Sequence, residues 1–537
     1  MKTGPGFLYS TESTHGGERT YMEKRKVRIE SGELQGIFGY DPRITVFKGI
    51  PYAAPPVGAL RWRAPQPVKP WEGVRLAAEY GPMAVQNVPG LDPKEFWTKE
   101  LHPAGPEFEM SEDCLYLNVF TPAKKGDEKL PVLLYIHGGG LQGGYPYEIE
   151  FDWEHMARKG IVVVTIAYRL GLFGFLSHPW LSEEAPEDPK GSYGYLDQLA
   201  AIKWTYRNIE AFGGDPEKIT IAGQSAGAGS VLTQLSSPMA KPYFRAAIVQ
   251  SGIIMPFRDT AGSGRNSTVE SAEKAGEAFF KAANFGSLEE ARAVDALKLH
   301  EMNKSLSPDG RGFRFSPPID GIFQTETSVS ALRNDHWGDK PVIFGYTTDE
   351  LGMFNRFSGK LPQSMAELEA CAEVYGDRKE AFLEACGCST DEDVKNLGDS
   401  DAFCALVCST IMAGKIRADQ GRKSWLYEFG VQIPGEDNPG VYHGAELPFA
   451  YDALARMWRP YQGWHYDMAR IVSSYWVNFI KTGDPNGLTN YGEALPEWHE
   501  FTLKNPKQMV FSTTAAEKDI VYSELLQLRE GQIVTGV

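Results

Sequence analysis

The apolar residues of this chain gather in short, nearly unbroken runs. Leu130-Pro131-Val132-Leu133-Leu134-Tyr135-Ile136 and Ile161-Val162-Val163-Val164-Thr165-Ile166-Ala167 carry almost no polar position. That is the pattern of strands covered on both faces by helices, not of strands wetted on one side. Lys218–Ala222, Ala246–Gly252, Lys340–Gly345 and Ser424–Phe429 read as further strands. Within Leu196–Phe212, Ala200, Ile202, Trp204, Ile209 and Phe212 recur at roughly helical spacing, and Ala228–Leu235 can start a helix after Lys218–Ala222. Strands alternating with helices in this order predict a doubly wound α/β sheet, large and mostly parallel, with helices on both faces.

The flanks are less regular. Val27–Ile29 and Leu34–Phe38 have the alternation and the intervening glycine of hairpin strands at a sheet edge, and Ser111–Phe120 reads as a strand. The prolines and glycines of Phe47–Gly58 forbid helix and impose an extended loop. Residues 75–113 show no clear period before that strand. Helices are predicted to fill 364–420, to run over Ile471–Thr482 up to Gly483-Asp484-Pro485, and to close the chain over Glu517–Glu530. A helical, surface-like stretch at about 258–330 is expected as an insertion over the strand ends, forming a lid or pocket wall.

Length and composition change this picture modestly. At 537 residues, size alone suggests two to four domains, yet no repeat or low-complexity segment divides the chain. A loose tail over 1–24 and one domain over 25–537 are therefore expected. The formal net charge of −16 argues against nucleic acid or an anionic membrane as partner, because phosphate binding needs clustered lysine and arginine. No apolar run near the start has the length of an export signal or a membrane span, so a cytoplasmic protein without a membrane anchor is expected. The six cysteines, Cys114, Cys371, Cys386, Cys388, Cys404 and Cys408, lack the paired spacing of a zinc ribbon. Neither metal nor cofactor is expected, and the thiols point to a reducing compartment.

The candidate chemistry begins at Gly223-Gln224-Ser225-Ala226-Gly227, where a buried strand runs into a helix. Gly-x-Ser-x-Gly at that junction lifts a serine onto a sharp turn above the sheet. A serine hydroxyl needs a base within hydrogen-bond reach, and the base needs a carboxylate to orient it. Downstream, His443 hangs in a loop after the strand Ser424–Phe429, whereas His300, His336, His465 and His499 sit in helical or tryptophan-flanked contexts that read as surface. The loop after Lys340–Gly345 offers two adjacent carboxylates, Asp349 and Glu350. Gly138-Gly139-Gly140, at the end of another buried strand, lets bare backbone approach a substrate, and the Ala226 N–H opens the helix after the serine.

With these residues in order, the chain resembles a type-B carboxylesterase of the carboxylesterase and cholinesterase family, and bacterial carboxylesterases in particular. The likeness runs from about Arg28 to Trp498. It includes the loop Gly49–Arg61, Ser111–Val119, His137–Gly140, Tyr168–Phe175, Leu196–Trp204, Phe212–Ala228, Gln250–Gly252, Thr348–Glu350 and His443–Phe449. The resemblance implies an α/β-hydrolase fold and a serine hydrolase that cleaves small carboxylic esters through an acyl-enzyme. It implies Ser225 as nucleophile, His443 as general base and acid, Glu350 in preference to Asp349 as the orienting acid, and Gly139, Gly140 and Ala226 as the oxyanion hole. It also implies structural ion pairs Arg61–Glu112 and Arg169–Asp197.

Departures from the family pattern bear on substrate. Cys114 matches a cysteine that secreted members bridge to one upstream, but Gly81–Gln86 contains none. Cholinesterases hold a quaternary ammonium with a tryptophan and a glutamate, where this chain has the Pro103-Ala104 region and Gln224, so choline esters are not expected. Leu141 stands where an aromatic is usual, and Phe354 is a candidate acyl-side wall. Two other readings remain: a hydrolase specialised for lipids, sterols or feruloyl esters, and a non-catalytic cholinesterase-like binding protein. The second keeps the fold but usually lacks the serine or the histidine, and both are present here.

Overall fold

The computed structural model describes residues 25–87, 96–101, 109–252, 267–307, 312–350, 362–398, 405–520 and 523–535. The expected tail over 1–24, Phe354, Cys404 and Pro103-Ala104 lie outside these. The strands in chain order are β1 (Lys26–Ile29), β2 (Gly32–Gln35), β3 (Ile37–Phe38), β4 (Thr45–Pro51), β5 (Val74–Leu76), β6 (Tyr116–Thr121), β7 (Leu130–Ile136) and β8 (Val162–Ile166). They continue with β9 (Gly214–Gln224), β10 (Ala246–Gln250), β11 (Ser267–Thr268), β12 (Pro318–Ile319), β13 (Val342–Thr347), β14 (Ser424–Phe429), β15 (Lys507–Phe511) and β16 (Ala515–Asp519).

Eleven strands make one sheet in the order β16-β15-β14-β13-β10-β9-β7-β8-β6-β4-β3. From β8 across to β15 every neighbouring pair is parallel, and the outer pairs are antiparallel. Alternate side chains of each central strand feed two separate cores. Val132, Leu134 and Ile136 of β7 join one, while Leu133 and Tyr135 join the other. Val162 and Val164 of β8 likewise face away from Val163. This is the physical content of an unbroken apolar run: with period-2 side-chain alternation, a strand buried on both faces has no position left for a polar residue. Burying each such side chain contributes roughly 1.5–3 kcal/mol, so the two cores hold the sheet. The helices Tyr193–Asn208 and Ala226–Ser236 cover the first face, and Trp153–Arg158 and Gly463–Thr482 the second.

The chain progresses from β7 to β8 and then returns to place β9 on the other side of β7. The strand order therefore reverses around β7, and the crevice beyond the carboxyl ends of β7 and β9 is where open α/β sheets bind ligands.

Three readings need correction. The final predicted helix, Glu517–Glu530, is split: Lys507–Phe511 and Ala515–Asp519 form an antiparallel hairpin at the sheet edge, and the helix begins only at Glu524. As an edge strand β16 is polar on both sides, which removes the alternation that would have revealed it. The helix ending at Thr482 starts at Gly463, eight residues before the expected Ile471. Finally, β1 and β2 pair with β5 in a small separate sheet, so only β3 reaches the edge of the main one.

Candidate active site

At the end of β9 the backbone makes the sharp turn anticipated from the glycines. Ser225 has φ 57° and ψ −124°, a left-handed conformation costly for any residue with a Cβ. The neighbouring glycines explain how the turn closes. A Cβ on Gly227 would sit 2.2 Å from the carbonyl oxygen of Ile136, and one on Gly223 would sit 2.5 Å from the backbone of Gly227. Either would separate β7, β9 and the following helix. The Ser225 N–H donates to the carbonyl of Gln250 on β10, at 2.9 Å. Ser225 caps the helix Ala226–Ser236, so the Ala226 N–H is one of the first-turn donors that have no partner within a helix.

The glycine loop after β7 lies beside this turn. A Cβ on Gly138 would come 3.4 Å from the Ser225 Cβ, so the loop passes directly over the serine. Gly139 and Gly140 have φ of 96° and 66°. Leu141 continues the left-handed path at φ 61°, its carbonyl accepting from the Gly171 N–H at 2.8 Å. Leu141 is half-buried and packs on the first core. The loop is pinned by side chains that sequence reasoning missed. The Gln86 amide spans Gly144, accepting its N–H at 2.7 Å and donating to its carbonyl at 3.0 Å. The Tyr168 hydroxyl donates to the His137 carbonyl at 2.8 Å, and its ring stacks on the imidazole. Burial pushes His137 down to about 4, so it is a neutral prop for the loop.

The acid and the histidine arrive from the two strands beyond. Glu350 follows β13 by three residues and is fully buried; one carboxylate oxygen accepts from the Thr347 N–H at 2.8 Å, and the other contacts His443 Nδ1. Asp349 is half-buried, and its backbone pairs with the His443 loop through a bridge to Tyr442. The structure thus brings Glu350, and not Asp349, to the imidazole. On the opposite ring nitrogen, Gln224 Nε2 lies 3.2 Å from His443 Nε2. With the Glu350 carboxylate against Nδ1, the tautomer that serves both ring nitrogens carries its proton on Nδ1 and leaves Nε2 to accept from the amide. Gln224 is the residue preceding Ser225, so imidazole, amide and serine turn share one crevice.

A second buried carboxyl stands behind the first. Glu446 is held up at about 7 by burial and, secondarily, by the charge of Glu350. Its Oε1 accepts from Gln250 Nε2 at 3.3 Å, and the Gln250 Oε1 accepts from the Tyr451 hydroxyl at 2.6 Å. The motif His443–Phe449 contained Glu446 in plain sight, but nothing in its local pattern distinguished a buried carboxyl from a helix cap.

The other histidines lie apart from this crevice. His336 and His499 pair with surface carboxylates, and His300 meets the Asn87 side chain. His465, read as surface, is buried: it stacks on Trp464 and packs beside Tyr461 and Phe449. The ion pairs Arg61–Glu112 and Arg169–Asp197 form, buried, at 2.5 and 2.7 Å. Among the described residues, no group of histidine, cysteine and carboxylate side chains could hold a metal ion. None of their helices is long and apolar enough to cross a membrane.

Comparison with known proteins fits this geometry. Residues 23–528 match the profile of the carboxylesterase family. The chain is 32% identical over 477 residues to a fumonisin B1 esterase of Sphingopyxis macrogoltabida, covering 85% of this chain and 82% of that protein. It is 30% identical to carboxylesterase 1E of Rattus norvegicus, covering 93% and 92% of the two. The crystal structure of carboxylesterase Est55 from Geobacillus stearothermophilus superposes with a TM-score of 0.77 at 30% identity, over 94% of this chain and 99% of that one. A PNB esterase gives the same TM-score at 28% identity. The chain belongs to the carboxylesterase family and is a carboxylic ester hydrolase of the α/β-hydrolase fold.

Proposed function

We propose that Ser225 is the nucleophile of ester hydrolysis, His443 its general base and acid, and Glu350 the carboxylate that orients His443. The N–H groups of Gly139, Gly140 and Ala226 form the oxyanion hole. The observation that carries this reading is the contact of Glu350 with His443 Nδ1, with Nε2 facing the residue next to Ser225.

In the first half-reaction Ser225 Oγ attacks the ester carbonyl carbon as its proton passes to His443 Nε2, and the carbonyl oxygen becomes an oxyanion facing the three N–H donors. Collapse breaks the bond to the alcohol oxygen, which takes the proton from His443 and leaves an acyl-Ser225. Water then attacks the acyl carbon, giving its proton to His443, and Ser225 leaves with that proton restored. Glu350 stabilises the imidazolium in both halves without accepting the proton. For Nε2 to receive the serine proton, the Gln224 amide must yield its contact, so Gln224 sits at the junction of the base and the alcohol side.

The substrate in this reading is a small ester, and nucleic acid has no place in it given the charge of −16. An uncharged Gln224 beside the base, with Leu141 after the glycines, favours esters without a quaternary ammonium. We place the enzyme in the cytoplasm on the ground that Cys114, which secreted relatives bridge to an upstream cysteine, is a free thiol here. Rapid acid quenching of the enzyme during turnover of a p-nitrophenyl ester, followed by peptide mass spectrometry, tests the mechanism. The acyl group is expected on Ser225. Acyl transfer to another residue, with turnover untouched by Ser225→Ala, defeats it.

A further inference from the structure

One charged group of high burial lies near His443 without touching it. The two ends of the stretch Met83–Met110 meet in backbone hydrogen bonds, the Met83 N–H donating to the Glu109 carbonyl and the Ser111 N–H to the Met83 carbonyl, both at 2.9 Å. Cys114, just beyond it, is a free thiol, so among the described residues no disulfide ties these ends together. Within the stretch lies the short helix Phe96–Leu101, which turns Glu100 inward until only 1% of the residue is exposed.

Glu100 is held by three residues from the opposite end of the chain. Arg459, itself buried, gives it Nη2 to Oε1 at 2.6 Å and Nε to Oε2 at 3.1 Å. Trp458 donates Nε1–H to Oε1 at 3.1 Å, and the Tyr442 hydroxyl donates to Oε2 at 3.0 Å. The carboxylate therefore accepts four hydrogen bonds, which is close to its capacity. Arg459 is further tied to Asp437 at 3.1 Å and to the Pro434 carbonyl at 3.0 Å. Burial works against its charge, but the hydrogen bonds it donates to Glu100 and Asp437 more than offset that and hold the guanidinium above its ordinary value. The rings of Phe96 and Trp97 stand edge-on to Tyr442, at 5.0 and 6.1 Å between centroids.

Tyr442 immediately precedes His443. Besides the Gln224 amide at Nε2, three contacts hold the loop that carries the histidine: Glu350 at the imidazole, Asp349 at the backbone, and the helix Phe96–Leu101 at the Tyr442 side chain. The first two of the three come from the loop after β13. The third comes from a segment that has no other role in the sheet.

We infer that Glu100 is a positioning residue for His443, acting through Tyr442, and that the buried Glu100–Arg459 pair anchors the helix Phe96–Leu101 to the histidine loop. A charge pair this buried is costly to make and worth little for stability alone, but it is highly directional, which suits fixing the register between two loops. The inference rests on the assignment of His443 as the base.

The test uses the full-length enzyme with active sites titrated by a p-nitrophenyl phosphonate, so that rates are expressed per reactive Ser225. Tyr442→Phe keeps the ring and its aromatic contacts while removing one donor to Glu100, and Glu100→Gln keeps the shape while removing the charge. Tyr442→Phe is expected to lower kcat per titrated site by about 3–10-fold, with KM within about twofold, and Glu100→Gln to lower it more. Because both act through one contact, the double variant should fall no further than Glu100→Gln alone. Arg459→Lys, which keeps a cation beside Glu100, should retain more activity than Arg459→Met. A Tyr442→Phe enzyme with unchanged kcat per titrated site, or a double variant whose losses multiply, overturns the inference while leaving the triad standing. This remains so even if the melting temperature drops. A wild-type enzyme whose Ser225 takes no phosphonate overturns both.

Discussion

The elbow with its glycine loop and the Glu350–His443 side face each other across one crevice, yet they are built from different material. The first presents backbone: Gly138, Gly139, Gly140 and Ser225, with close approaches of 2.2–3.4 Å to any added Cβ except at Gly140, which faces open space. The second presents titratable side chains on loops from β13 and β14: Glu350 and Glu446, fully buried, and His443, half-buried. The difference lies in what each can tolerate. Backbone donors keep their aim only while no side chain intrudes, so strain collects there: Leu141 and Ser225 are two of the nine non-glycine residues with positive φ among the described residues. Side-chain groups keep their aim through hydrogen bonds, so there the cost is burial of charge.

Substitutions separate the two sides. Removing a reacting side chain on either side, by Ser225→Ala at the elbow or His443→Ala opposite it, should reduce kcat on the order of 10⁴-fold or more, measured with a p-nitrophenyl ester after excluding contaminating hydrolase. Glu350→Gln should cost on the order of 10²–10⁴-fold, while Asp349→Asn, whose carboxylate does not reach the imidazole, should remain within about threefold. Equal losses for the two would undo the assignment of the acid.

On the backbone half, Gly139→Ala places its Cβ 2.2 Å from the Gly143 carbonyl oxygen and must shift the loop, so a loss on the order of 10²–10³-fold in kcat is expected. Gly140→Ala meets open space and incurs only the left-handed strain, roughly 1–2 kcal/mol, or about 5–30-fold. If Gly140→Ala proves the worse of the two, the backbone account of this half is wrong.

The smallest effect concerns Glu446. Its carboxyl is raised to about 7 in the fold, against about 4.3 in an unfolded chain, so between those values the folded state binds more protons than the unfolded one. Stability from this group is therefore full at low pH and declines as pH rises through that window. Glu446→Gln removes the titration, and its melting temperature should fall less than that of the wild type between pH 5 and pH 7. Parallel curves would show that Glu446 is ionised throughout.

The backbone half was the more legible from sequence, and for a physical reason. Only glycine fits where Gly227 meets the Ile136 carbonyl, so the constraint is written as residue type at fixed spacing. Apolar runs such as Ile161–Ala167 were legible likewise, because a strand covered on both faces admits little else. The side-chain half was legible mainly as order along the chain. Two adjacent carboxylates, Asp349 and Glu350, are equivalent in sequence and differ only in which one the turn after β13 directs inward. His465 was misread because its burial comes from Trp464, Tyr461 and Phe449 packing around it, and Glu100 escaped notice because its partner Arg459 is 359 residues away. The polar edge strand β16 offered no period to read.

The central claim is that Ser225 is the nucleophile activated through His443. Mapping a covalent p-nitrophenyl phosphonate adduct by peptide mass spectrometry, in the wild type and in His443→Ala, tests it most directly. One adduct per chain on Ser225 in the wild type, forming orders of magnitude more slowly in His443→Ala, is the predicted result. An adduct on any other residue, or one that forms on Ser225 at an equal rate in both proteins, would contradict the account.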